Sequence, residues 1–402
     1  MLSRGKHVSI LSVPMGLLIL YVLLLFTAQE TLLPPRWHSF VMYMFILVTF
    51  IVGIGKRKLN FFVVNKYTIF YLILLLYSFV STLWGVEMVL GALYVMMVAL
   101  IITFCIVRTI DSNNKLDLCV RVFVCSGDVM GVMLLWTGQV FNAEERLGQS
   151  LTGNANSFSA LLMVAAVFAA WLFIYKNNKA DKVFNMLSLA FLLFLMGMSG
   201  GRKTIMAVVV CFIWFMLGKD NMKASTLCRN LFFVVLALVG IYFATMNIPI
   251  LYETIGERFE SLFVLFYGGT SDVTSDSVRK QMIFLAVEQW SYNPIWGYGL
   301  DTFKYFNQRT TGHFYYAHNN YAEILYDLGL IGFLIYYGFI FKLLLNLRKL
   351  NQEAKPYKML GIGLILLVLV YDIGGVGYYT VLIQMIVCLI YLCYSLNAKI
   401  NG

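Results

Sequence analysis

Charge is scarce. Only 12% of the 402 residues are Asp, Glu, Lys or Arg, about half of what a soluble domain carries, while 60% are hydrophobic and the mean hydropathy is +0.79. That balance excludes a water-soluble globular fold. Short alternating segments are missing as well: the apolar stretches run unbroken for about 16 to 22 residues, which excludes an outer-membrane barrel built from alternating strands of about ten. The seven cysteines are odd in number, show no paired spacing and are absent from the long polar stretch, so neither a disulfide framework nor a zinc site is expected. They read as small buried hydrophobes. Histidine is limited to His7, His38, His313 and His318. No His, Asp or Glu cluster has metal-ligand spacing, so no metal or other cofactor is expected. The first apolar run lacks a small-x-small cleavage site and is retained as a span.

What the chain has in abundance is helix-length apolar sequence, enough for about twelve spans of roughly 20 residues. Apolar runs and their charged breaks place these near 9–28, 37–54, 67–84, 88–107, 122–138, 154–175, 183–198, 204–218, 230–246, 323–341, 359–375 and 377–396. The expected fold is an all-α integral membrane protein with about 12 transmembrane helices. Residues 1–246 form helices 1–9, residues 247–322 a large external loop with short amphipathic helices, and residues 323–402 helices 10–12. With the N-terminus inside, 21 of the 30 lysines and arginines fall in cytoplasmic segments, as the positive-inside rule requires. Both termini are expected in the cytoplasm. The net charge of +10 then reflects orientation, and no nucleic-acid partner is expected.

The cations on the other side carry more information. Ser199-Gly200-Gly201-Arg202-Lys203 precedes a helix that runs from outside to inside, so unpaired N–H groups and the positive dipole end face outward. Arginine's planar fork suits phosphate oxygens. Arg146 with Gly153-Asn154-Ala155-Asn156, and His318-Asn319-Asn320, open two further helices of the same direction, so three polar helix N-termini can converge on a phosphate or diphosphate at the outer face. In the long loop, 251–267 reads as an amphipathic helix. Ser275 or Asp276 can cap a second helix carrying Arg279, Met282, Ala286 and Trp290, ending before Pro294. Gly297-Tyr298-Gly299 turns the chain, and an aromatic-rich stretch leads to His318. An imidazole there can accept a proton near neutral pH, and a helix N-terminus disfavours its cationic form. Glu323 and Asp327 share a helix face and can orient His318 or an incoming hydroxyl. Asp128 lies mid-span, as a packing or pathway residue.

In order along the chain, Ser199-Gly200-Gly201-Arg202, Asp276-Ser277-Val278-Arg279, Asn293-Pro294-Ile295-Trp296-Gly297-Tyr298-Gly299-Leu300-Asp301-Thr302-Phe303 and the block from His318-Asn319-Asn320-Tyr321-Ala322-Glu323 to Gly332 resemble the bacterial O-antigen ligase and O-antigen polymerase family. The segment Gly153-Asn154-Ala155-Asn156 resembles that family's Gly-Asn-Pro-Asn, with Ala155 in place of proline. The likeness spans roughly residues 140 to 345.

The resemblance implies a GT-C-like, metal-independent membrane glycosyltransferase that takes an undecaprenyl-diphosphate-linked glycan as donor at the outer face of a bacterial cytoplasmic (inner) membrane. Membrane lipids are its surroundings, and a chain-length regulator or a flippase are candidate protein partners. In this reading Arg202 and Arg279 stabilise the departing diphosphate and His318 positions or deprotonates the attacking hydroxyl. Arg146, Asn154, Asn156, Lys203, Asn319, Tyr321 and Glu323 form the expected substrate-binding set. A polymerase of repeat units is favoured over a ligase acting on a lipid or protein acceptor. A flippase for lipid-linked oligosaccharides is the third alternative, disfavoured because no internal repeat is visible.

Overall fold

A computed structural model of the chain describes residues 11–28, 32–55, 64–85, 87, 89–138, 147–149, 155–219, 243, 246–247, 252 and 275–398. Among them are thirteen α-helices and no strand. In chain order these are α1 (Val13–Thr27), α2 (Pro35–Gly55), α3 (Lys66–Ser81), α4 (Leu90–Thr109), α5 (Asn113–Trp136), α6 (Ala155–Tyr175), α7 (Lys179–Ser199), α8 (Arg202–Leu217), α9 (Ser275–Trp290), α10 (Phe303–Thr311), α11 (Asn320–Arg348), α12 (Lys355–Asp372) and α13 (Val381–Ala398). Among the described residues, α2, α4, α5, α6, α7, α11 and α13 are long and apolar enough to cross a membrane. Further apolar helices, Val13–Thr27, Lys66–Ser81 and Lys203–Leu217, are shorter. The protein is thus an all-α, multi-pass integral membrane protein. The expected span over 230–246 and the expected amphipathic helix over 251–267 lie outside the described residues, apart from isolated positions.

Helix α6 is the hub, with 17 of its 21 residues buried. Its alanines, Ala165, Ala166, Ala169 and Ala170 among them, let neighbouring backbones approach closely, which is how apolar helices associate without a hydrophobic driving force between them. Gly127 on α5 faces Ala165 of α6 and Leu192 of α7 so tightly that a Cβ there would lie 2.9 Å from both. Five cysteines, Cys105, Cys119, Cys211, Cys388 and Cys393, are buried in this packing, and Cys125 is exposed. Asp128 accepts a hydrogen bond from Ser188 Oγ (2.6 Å), joining α5 to α7.

Two polar layers close the bundle. At one end Asp117 takes Lys176 as an ion-pair partner and accepts from Tyr357 Oη at 3.2 Å. In the same layer Arg121 pairs with Asp181 at 2.8 Å and Asn113 donates to Asn397 at 3.0 Å. These contacts explain why α5 starts at Asn113 rather than near 122: a charged first turn continues the helix beyond the apolar slab because its charges find partners. The other end holds the N-termini of α6, α8, α11 and α13 and the small helices α9 and α10. Helix α11 spans 29 residues but is interrupted at Gly329, and its part before the interruption lies in this second layer.

Candidate active site

Helix α11 is broken. Gly329 takes φ 63 and ψ −166, a conformation L-residues avoid, and the helical bonds from Leu330 and Ile331 are lost. A loop segment replaces them. Leu330 N–H donates to the Pro294 carbonyl (2.8 Å) and Ile331 N–H to the Ile295 carbonyl (3.4 Å), while Tyr298 and Gly299 donate to the freed carbonyls of Tyr326 and Asp327, both at 2.8 Å. Tyr77 Oη, from α3, donates to the third freed carbonyl, Leu328 (3.0 Å). Backbone polar groups that lose their helical partners must be claimed by other protein groups where water does not reach them, and here each one named is claimed. Gly297, also at positive φ, is packed so closely that a Cβ would lie 2.5 Å from the Asp327 carbonyl. Gly297-Tyr298-Gly299 is therefore a docking strip for the helix break as well as a turn.

The carboxylate just before the break anchors the next element. Asp327 is fully buried and accepts from the backbone N–H groups of Asp301 (3.1 Å), Thr302 (3.1 Å) and Phe303 (3.3 Å), and from Tyr378 Oη (2.7 Å). A side chain of α11 thus caps the start of α10, where unpaired donors and the positive dipole end favour an anion. Behind it, Asn320 Nδ2 donates to Asp372 (3.1 Å), and Asn320 Oδ1 accepts from Gly377 (2.8 Å) and Tyr378 (3.1 Å). This ties α11 to the turn between α12 and α13.

His318 sits on top of this frame. It adopts φ 55, uncommon for a residue with a Cβ, and is bracketed by two caps. Asn319 Oδ1 accepts from Ala322 N–H (3.0 Å) as the N-cap of α11, and the buried Glu323 carboxylate accepts from Ala317 N–H at 2.5 Å. The His318 ring lies against Tyr316, centroids 4.1 Å apart. Burial lowers its pKa first, and the positive charges of Arg279 and Lys203 lower it further, to about 4. The ring is neutral at physiological pH, able to accept a proton, and has two cations from two other elements within electrostatic reach.

Those cations arrive by separate routes. Arg279 is carried by α9, whose Met282 and Ala286 pack into a small apolar cluster with Phe303, Ala317, Ala322 and Tyr326. This positions the helix over the head of α11. Lys203 comes from the start of α8, and its side chain crosses the glycine turn after α12, where a Cβ at Gly374 would lie 2.3 Å from Lys203 Nζ. The α8 N-terminus is pressed onto α6: a Cβ at Gly201 would meet Ser159 Oγ at 1.9 Å, and Ser159 and Thr204 share a short hydroxyl contact. Asn156, half-buried, is one turn before Ser159, so the starts of α6 and α8 are adjacent.

The expected site residues thus divide. His318, Arg279 and Lys203 come together, with Asn156 on the neighbouring helix start. Asn319, Tyr321 and Glu323 are engaged in the framework: Asn319 Nδ2 also donates to the Ile373 carbonyl (3.2 Å), and Tyr321 Oη donates to the Leu369 carbonyl (2.9 Å). Arg146 and Asn154, and the side chain of Arg202, lie outside the described residues. Sequence reasoning missed Asp301, Asp372, Tyr378 and Tyr77. A carboxylate inside an apolar run, as at Asp372 before Gly374-Gly375, was the available signal. Asp301, in the loop, is raised above the usual carboxylate range by burial, against the opposing charge of Lys304. Among the described residues no group of three or more His, Cys, Asp or Glu side chains is arranged to hold a metal ion.

This arrangement of a neutral base, cations and helix N-termini suits a reaction in which a hydroxyl loses a proton and an anionic group departs. No curated protein matches the chain in a sequence comparison. Residues 187–337, which contain α8, Arg279, His318 and the break in α11, match the family model described as O-antigen ligase, so that segment is similar to the O-antigen ligase family.

Proposed function

We propose that the protein transfers a glycan from a polyprenyl-diphosphate carrier to a hydroxyl of a second lipid-linked repeat, and so polymerises repeat units at the membrane surface. The observation that carries this reading is the neutral His318 at the head of α11 with the charges of Arg279 and Lys203 bearing on it. In the proposed step the acceptor oxygen forms a bond to the anomeric carbon as the bond from that carbon to the diphosphate oxygen breaks. The hydroxyl proton passes to His318 Nε2 or Nδ1. The electron pair leaves with the diphosphate, whose charge Arg279, Lys203 and Arg202 stabilise. A diphosphate paired with cations is a good leaving group, so no strong general acid is invoked.

Incubating the purified protein in vesicles with a lipid-diphosphate-linked repeat as sole substrate tests the proposal: a ladder of longer glycans is expected. Arg202→Lys and Arg279→Lys keep a charge but lose the bidentate fork, and each is expected to lower kcat/KM by about two orders of magnitude, the usual scale for removing one transition-state donor. Near-normal ladders from both variants would sink the assignment. The description of the matched family supports a second reading with the same chemistry, transfer of a finished glycan to a different acceptor. Product formed only when such an acceptor is added would select it.

A further inference from the structure

The end of the bundle opposite His318 holds a cavity of about 340 Å³ between α3, α11 and α13, lined by Lys66, Phe70, Lys342, Asn346, Tyr391 and Tyr394 among others. Its place follows from helix direction. Helix α3 finishes beside the site, where Ser81 Oγ accepts from Leu300 N–H, so Lys66 at its start is at the far end. Helix α11 starts at the site and reaches Lys342 after about six turns. The floor is apolar and rigid, a Phe70–Phe339 pair stacked at 3.9 Å and 3°. Among the described residues no acidic side chain lines the cavity and neither lysine is ion-paired. Lys66 also opens a helix, where backbone donors and the dipole add to the positive potential.

The cavity is not closed off from the outer surface of the bundle. Ile69 and Ile73, two of its lining residues, are 45% and 48% exposed, and the stripe continues along α3 through Leu76 and Val80. A soluble anion has no use for such a track, whereas an acyl chain does. We propose that this cavity binds an anionic phospholipid of the surrounding bilayer, its phosphate between Lys66 and Lys342 and one chain lying along the outward stripe of α3. Basic pockets between membrane helices hold anionic headgroups in this way.

Native mass spectrometry of the purified full-length chain in neutral detergent tests the site, with phosphatidylglycerol and phosphatidylcholine of identical chains as probes. The wild type should retain phosphatidylglycerol preferentially. The preference should fall roughly fivefold for each lysine removed in Lys66→Gln and Lys342→Gln, further in the double variant, and persist in Lys66→Arg/Lys342→Arg. Both lysines are exposed, so an unchanged melting temperature in detergent is expected and separates lost binding from misfolding. Equal retention of both lipids, unchanged retention by the double glutamine variant, or displacement of the lipid by millimolar inorganic phosphate would each overturn the proposal.

Discussion

The imidazole of His318 owes its neutrality to where the chain puts it. Its pKa falls to about 4 from an ordinary value near 6.5, so between those values the folded protein keeps the ring unprotonated while a free histidine would be charged. The acid limb of kcat/KM, which reports the free enzyme, is therefore expected near pH 4, and a limb near pH 6.5 would contradict a half-buried base flanked by cations. Replacing Lys203 by Met removes one of the two cations that depress the pKa, and the limb should move upward. Glu323 is argued to act through His318. Its carboxylate holds Ala317 N–H, and an amide oxygen can accept the same bond. Glu323→Gln should retain most activity, whereas Glu323→Ala should lower kcat by about 10–100-fold with little change in KM, since a buried Ala317 N–H left without its acceptor costs about 1–3 kcal/mol and frees the loop. Equal loss in both variants would point instead to a role for the negative charge. His318 and Glu323 were visible in the sequence as a polar block at a helix start. That Glu323 faces back to Ala317 was not visible, because a side chain's partner depends on the path of the preceding loop.

At the scale of elements, the break in α11 is the feature hydropathy missed. Residues 323–341 read as one apolar run, and nothing in their composition announces that the helix is interrupted at Gly329. The interruption is stable because 294–299 and Tyr77 supply the missing hydrogen bonds. Two substitutions test this. Gly329→Ala would place a Cβ 2.3 Å from the Ile295 carbonyl and force a positive φ, and should cost at least the ~1–3 kcal/mol of a strained backbone, read as a lower melting temperature in detergent. Tyr77→Phe leaves the buried Leu328 carbonyl without its side-chain donor and should cost about 1–3 kcal/mol. A melting temperature unchanged in both would mean that the break is held by something else. The expected helix from Ser275 or Asp276 that ends before Pro294 is present as α9 (Ser275–Trp290), since its apolar positions meet the apolar face of α11 and α10.

At the scale of the whole molecule the two polar ends are separate. The 21-residue helix α6 sets them about 30 Å apart, so the ion-paired layer around Asp117 and the site around His318 can be perturbed independently. Asp117→Ala strands Lys176 and removes the acceptor of Tyr357. It should lower stability by about 1–3 kcal/mol while leaving transfer kinetics unchanged, and a matching loss of kcat would show that the two ends are coupled. The sequence by itself determined that this chain crosses a membrane many times as helices. The free energy of moving an apolar segment out of water is a sum over neighbouring residues and needs no knowledge of the fold. It also marked the polar blocks at 199–203, 276–279 and 318–332, because charge and glycine stand out against an apolar background. Only the tertiary structure decided that α11 breaks at Gly329, that Asp327 caps another helix, and that cations from α8 and α9 bear on one histidine. Those are pairings between residues 24 to more than 100 positions apart, fixed by which surfaces dock and not by any local preference of the chain.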